Sequence, residues 1–265
     1  MRKTIMLAFT LAVLASCRKE NATTSENPLS NENAVQGADV KIAAERTISF
    51  SGINWTVRDQ AGPSGPHDNY WSGSTSNVWV DGAGRLHLKI RKDAATGRWY
   101  CSEVISQQTF GYGSYVWQIE APLDLLDKNI VFGLFNYKSG DNGHHEIDIE
   151  FARWGNNAWP NFNYTVYPAY GDPETKAHHE FELDLNGTYS TYKFYRTSSY
   201  VSYTAYHGHT ENPSNAFFPW TTPAGFPVST EALPVHMNLW LFQHLPPSNG
   251  QEVEIIIHSF KYTPL

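Results

Sequence analysis

The sequence predicts an all-β protein, an antiparallel β-sandwich, on three observations. From Ile48 onward, short runs rich in branched and aromatic residues are separated by Gly, Pro, Asn and Asp. Within several runs apolar and polar residues alternate: Leu86, Leu88 and Ile90 interleave with His87 and Lys89. Such period-two alternation marks a half-buried strand. No window carries a long helical period, and no repeat recurs at solenoid or propeller spacing.

Taken in order, strands are expected at Ser76–Val80, Arg85–Arg91, Cys101–Thr109, Gly113–Ile119, Val131–Tyr137 and His145–Ala152. Further strands are expected at Phe162–Tyr167, His179–Leu185, Thr191–Tyr195, Tyr200–Ala205, Val235–Phe242 and Glu252–Tyr262. Pro122 to Asn129 is expected to form one short helix, since Pro fits a first helical turn.

The 265 residues divide into a leader, a tether and one domain. Arg2 and Lys3 form a positive start, and Ile5 to Leu14 is an apolar stretch too short to span a bilayer. Leu14-Ala15-Ser16-Cys17 resembles a bacterial lipobox, which implies a signal peptide over residues 1–17 and a diacylated Cys17. Residues 18–45, rich in Asn, Ser, Thr and Glu, read as a flexible tether. The reading is thus an exported bacterial lipoprotein held at a membrane, at the outer membrane or cell surface, with its domain at residues 46–265. With Cys17 lipidated, Cys101 has no disulfide partner and is expected to be a buried thiol.

Composition narrows the function. A net charge of -7 disfavours nucleic acid, whose phosphates need a basic surface. Aromatic residues reach 14%, with 9 Trp and 15 Tyr, more than a core was expected to need. That excess points to a cleft lined with rings, the usual platforms for sugars.

The segment His145-Glu146-Ile147-Asp148-Ile149-Glu150-Phe151 carries the chemistry. On a strand Glu146, Asp148 and Glu150 share one face, and Ile147, Ile149 and Phe151 share the other. Three neighbouring carboxylates repel, so a structural strand gains nothing from them. Glycoside hydrolysis uses such a set, with one carboxylate attacking the sugar and another donating a proton. A strand with a solvated acidic face would give the same letters.

This motif and its neighbours resemble glycoside hydrolase family 16, whose members include lichenases, laminarinases and xyloglucan transglycosylases. Supporting segments are Cys101-Ser102-Glu103, Gln108 to Tyr115, Gly133-Leu134-Phe135-Asn136-Tyr137, Asn163-Tyr164 and Met237-Asn238-Leu239-Trp240. The resemblance implies a β-jelly roll with a concave substrate cleft. It implies Glu146 as nucleophile, Asp148 as assisting residue and Glu150 as acid/base. It places Glu103, Phe135, Tyr137, Asn163, Asn238 and Trp240 along the sugar subsites, and Trp154 is a further candidate platform. The implied reaction is retaining, endo-acting hydrolysis of a β-linked polysaccharide, with no cofactor and a monomeric protein. Asp148 is then expected to keep Glu150 protonated while Glu146 stays ionised. Retaining enzymes hold the two carboxyls about 5–5.5 Å apart, whereas residues i and i+4 of a flat strand are roughly 13 Å apart at Cα. Strand curvature and inward-leaning Glu side chains must close that gap.

Some positions depart from the lichenase pattern. His144 and His145 stand where Trp-Asp is usual, Ile105 where Arg is usual, and Ser202 to Gly208 replaces Trp-Tyr-Val-Asp-Gly. The pairs His144-His145, His178-His179 and His207/His209 give no natural two-ligand face, and no metal site is assigned. Calcium occurs in some family members, but no acidic loop here identifies a site. The competing functions are a transglycosylase, a non-catalytic surface glycan-binding lipoprotein and a structural surface lipoprotein.

Overall fold

The computed structural model describes residues 46–141 and 143–265. The expected leader, the tether and Cys17 lie outside the described residues.

Sixteen strands follow one another: β1 (Arg46–Phe50), β2 (Ile53–Val57), β3 (Val78–Val80), β4 (Leu86–Lys92), β5 (Trp99–Tyr100), β6 (Ser102–Phe110), β7 (Gly113–Glu120) and β8 (Ile130–Asn136). Then come β9 (Ile147–Ala152), β10 (Phe162–Val166), β11 (Ala177–Phe181), β12 (Tyr189–Arg196), β13 (Val201–His207), β14 (Ala216–Thr221), β15 (Leu233–Leu241) and β16 (Val253–Pro264). They form two antiparallel sheets. The first runs β1-β2-β6-β15-β8-β9-β10-β11, and the second runs β14-β13-β12-β7-β16-β4-β3 with β5 paired to β4.

The alternation of β9 sets the geometry of the molecule. Ile147, Ile149 and Phe151 are buried between the sheets. The Phe151 ring meets Tyr192 of β12 edge-on at 4.7 Å, and Tyr164 of β10 stacks on Tyr203 of β13 at 4.3 Å. The partner face of β9 therefore points away from the core, and with it the acidic residues.

The core takes far more aromatic residues than composition suggested. Trp55, Trp71, Trp117, Tyr115, Tyr164, Tyr192 and Tyr203 are all essentially buried. Two sheets packed about 10 Å apart leave a thick layer that large rings fill well. Much of the aromatic excess is thus structural.

The short strands β1, β2, β5 and β14 depart from the expected list. β1 and β2 form a hairpin around Ser51 and Gly52, both at positive φ (52° and 74°), as a tight primed turn needs. β14 ends its sheet and contains Pro219, which only an edge strand accommodates. The helix expected over Pro122 to Asn129 is a single 3-10 turn, Leu123–Leu125. The strand expected at His179–Leu185 instead spans Ala177–Phe181, registered against β10.

Candidate active site

Cross-strand register assembles the site on the outer face of the first sheet. Glu150 lies between Gly133 of β8 and Asn163 of β10. Asp148 lies between Phe135 and Thr165. Farther across, Asn238 of β15 pairs with Gly133 and with Glu103 of β6, and His236 pairs with Phe135. Glu146 sits just before β9, its carbonyl accepting the Tyr167 amide at 2.8 Å. His145, at φ 69°, bends the chain there, and its Nδ1 lies 2.9 Å from Ser229 Oγ.

Gly133 has a specific steric role. A Cβ there would come within 2.6 Å of Asn238 Oδ1. Its absence leaves room beside Glu150 for the Asn238 amide oxygen, a buried acceptor with no hydrogen-bond partner among the described residues.

Electrostatics sets the trio apart. Burial, then repulsion from Glu150 and Asp141, pushes Glu146 up to about 8. Burial pushes Glu150 up to about 7, against an opposing effect of the Asn163 amide. Asp148 is raised well above the usual range by burial and by both glutamates. Its hydrogen bond with Glu146 lowers Glu146 and raises Asp148, which makes Asp148 the donor. The expected contrast, Glu150 protonated and Glu146 ionised, does not appear in the free protein: Glu146 is raised as well as Glu150, and the three titrate as one coupled set. Tyr167, partly buried beside them, is also pushed up by burial and by all three acids.

The expected sugar contacts divide into two groups. Phe135, Tyr137, Asn163 and Asn238 surround the acidic row. Phe135 lies parallel to His236 at 4.9 Å. Glu103 is held by the protein itself. Only 4% exposed, it bonds Arg58 at 2.6 Å and His236 at 2.8 Å, so both its oxygens are committed inside the protein. Trp240, 6% exposed, is likewise covered, with the His67 ring stacked on it at 5.7 Å. Trp154, at φ 49°, packs edge-on against Phe242 at 5.6 Å and near Trp240 at 6.3 Å.

Beyond Trp240 lies an open cavity of about 460 Å³ lined by Pro63, His67, Asp68, Tyr70, Gln243 and His244. Of these, His67, Asp68, Gln243 and His244 hold left-handed backbone conformations. Sequence reasoning did not single out this end of the cleft, nor Arg58, Gly133, Thr165 and His236. The last two were findable: Thr165 follows Asn163, and His236 precedes Asn238, by one strand period. Cys101 is buried as expected, its thiol pushed up to about 12 by burial and therefore unreactive. Among the described residues no cluster of acidic, His and Cys side chains could hold a metal ion.

Comparison with known proteins matches this architecture. Residues 66–240 match the model of the family "Glycosyl hydrolases family 16". No curated protein matches the chain by sequence. Among solved structures, a β-glucanase of Bacillus licheniformis aligns with TM-score 0.60 and 19% identity, over 85% of this chain and all (100%) of that one. A β-1,3-glucanase of Mycobacterium marinum aligns with TM-score 0.59 and 19% identity, over 79% of this chain and 90% of that one. A Mycobacterium tuberculosis protein described as an immunostimulatory antigen and pseudo β-1,3-glucanase aligns with TM-score 0.57 and 18% identity, over 80% and 91% of the two chains. These likenesses agree with the jelly-roll sandwich, and the family model covers both the acidic strand and the strands that flank it. The chain belongs to glycosyl hydrolase family 16 and is a glycoside hydrolase.

Proposed function

We propose that the protein is a retaining, endo-acting hydrolase of a β-linked polysaccharide of the β-glucan kind. The observation that carries this reading is a row of three acidic side chains on one face of the first sheet, flanked by Asn163, Thr165 and Phe135, with all three acids raised by burial. The β-glucanase descriptions of the structural neighbours support the substrate class.

In this reading the Glu146 carboxylate attacks the anomeric carbon while Glu150 protonates the departing glycosidic oxygen. Asp148 donates its hydrogen bond to Glu146 before attack. Glu150, now ionised, then deprotonates a water that attacks the same carbon and releases Glu146. A set of raised and coupled pKa values suits this exchange, because one group must give a proton and later take one near neutral pH.

Glu150→Ala tests the assignment. It should fail on poor leaving groups, still accept an aryl glycoside with a good one, and yield a β-glycosyl azide when azide is added. An α-azide would contradict double displacement. Release of reducing ends from a panel of polysaccharides names the substrate. The alternative is a glycan-binding protein without turnover. It is favoured by one observation, the pseudo-glucanase description of a neighbour. Binding with no reducing-end release on any panel member would establish it. A transglycosylase would instead lengthen or rearrange oligosaccharide acceptors.

The same proposal places the domain on a membrane through a lipid at Cys17, on the strength of the lipobox-like Leu14-Ala15-Ser16-Cys17. Cys17→Ser should move the protein to the soluble fraction. Equal retention on membranes would defeat the anchor.

A further inference from the structure

A chain of polar contacts runs along the cleft face from the solvent edge of the first sheet to Glu150. It begins on β11, the last strand of that sheet. His178 Nε2 lies 3.3 Å from Glu180 Oε1, with the two side chains 37% and 50% exposed. His178 Nδ1 lies 2.8 Å from Thr165 Oγ1 on β10. Thr165 Oγ1 donates to Asn163 Oδ1 at 3.1 Å. Asn163 sits directly across from Glu150, and its buried Nδ2 has no other acceptor among the described residues.

Proton counting gives this chain a direction. A hydroxyl has one proton to donate. If Thr165 gives it to Asn163 Oδ1, Thr165 must accept from His178, so His178 carries hydrogen on Nδ1. The Asn163 amide is then locked with oxygen toward Thr165 and nitrogen toward Glu150. The flipped amide would set its oxygen against the Glu150 carboxylate, acceptor against acceptor. The state of His178 at the sheet edge therefore decides which end of Asn163 faces the acid.

We propose that Thr165 and His178 are positioning residues that hold the Asn163 amide against Glu150 and so set the protonation behaviour of the acid/base. The catalytic meaning of this device rests on the role proposed for Glu150. Its physical content, the link between Thr165 and Glu150, does not. The direction is consistent with the Asn163 amide favouring the ionised form of Glu150. The other groups acting on Glu150 are Glu146 and Asp148 from its own segment. From β8 it meets only Gly133 and Phe135, which carry no charge. Glu103 lies three strands away, paired with Arg58 and hydrogen-bonded to His236. Asn163 is thus the one polar side chain that a neighbouring strand places opposite Glu150.

The test follows side-chain carboxyl carbons by NMR through a pH titration, with the Glu150 signal assigned by its loss in Glu150→Gln. Thr165→Val, which keeps the shape and removes the hydroxyl, should raise the Glu150 midpoint by up to about one pH unit, the scale of the one neutral hydrogen bond that holds the Asn163 amide in place. Thr165→Ser should restore the parent midpoint. His178→Phe, altered at a partly exposed position, should move it in the same direction as Thr165→Val and covers the case in which the valine variant does not fold. On a hydrolysed substrate, the basic limb of kcat/KM should move with the midpoint. Unmoved Glu150 midpoints in the folded variants would overturn the proposal. A midpoint that moves while the basic limb stays fixed would retain the link and refute the catalytic role of Glu150 instead.

Discussion

On one face of one sheet the buried Glu103 and the buried or half-buried trio Glu146, Asp148 and Glu150 behave in opposite ways. Glu103 and Glu150 stand in the same cross-strand row, separated by Asn238 and Gly133, roughly 14 Å apart at about 4.8 Å per strand. Burial would raise Glu103, but His236 and Arg58 outweigh it and hold Glu103 below its ordinary value. Arg58 is fixed in turn, its guanidinium 4.0 Å above the Trp71 ring. Glu146, Asp148 and Glu150 form no ion pair with any cation among the described residues, so burial and repulsion dominate and all three rise. Burial is common to both groups, and the presence of a paired cation decides the outcome. A carboxylate that is paired stabilises the fold, whereas one left unpaired is available to move protons.

The largest expected break in this contrast is Glu146→Gln. It should lower turnover on the order of 10⁴-fold or more, the scale of removing a covalent catalytic group. The melting temperature should not fall. Wild-type turnover in the purified variant would remove Glu146 from the chemistry.

Arg58→Met attacks the other half. It leaves Glu103 buried with one cation fewer, a type of change that costs about 3 kcal/mol or more. Denaturant unfolding should show the loss at neutral pH. The loss should shrink under acid conditions, where Glu103 takes up a proton. An unchanged midpoint of unfolding would mean that His236 alone compensates the charge.

The pH dependence of stability should separate the groups further. Glu103 has a depressed folded value, so its contribution is present above the ordinary glutamate value and fades as pH falls through the lower one. Glu146 and Glu150 are raised, so their contribution is full below the ordinary 4.5 and is lost as pH rises through about 7 and about 8. Glu146→Gln, which cannot ionise, should therefore stabilise the protein at pH 8 on the order of 1–2 kcal/mol and hardly at all at pH 4.5. Thermal melts at the two pH values check the sign. A greater gain at the lower pH would contradict it.

The smallest expected effect lies at the rim. Tyr137→Ala should raise KM several-fold with little change in kcat, as for a contact made equally in ground and transition states. A fall in kcat with KM unchanged would place Tyr137 in the chemistry instead.

The sandwich and the acidic face were legible in the sequence because both depend on a period of two. The alternation of Ile147, Ile149 and Phe151 with the acids states which side is core. The Arg58 and His236 contacts of Glu103 were not legible, because these partners lie 45 and 133 positions away and local pattern carries no record of them. The stacking of His67 on Trp240 was hidden for a similar reason, since His67 lies in a loop of left-handed backbone. The aromatic surplus was assigned to the cleft although much of it fills the gap between the sheets. Composition counts rings without locating them.

Gly133 has an implication for which sequences this cleft can accept. Its backbone is not left-handed, so nothing in its own conformation demands glycine. The demand comes from Asn238, whose Oδ1 would meet a new Cβ at 2.6 Å. A saturation library at position 133 alone should therefore favour glycine, with small residues admitted only where the Asn238 amide turns aside. The same library on an Asn238→Gly background should admit alanine and serine more freely. The two positions are coupled: a side chain gained on β8 requires the one on β15 to move or shrink.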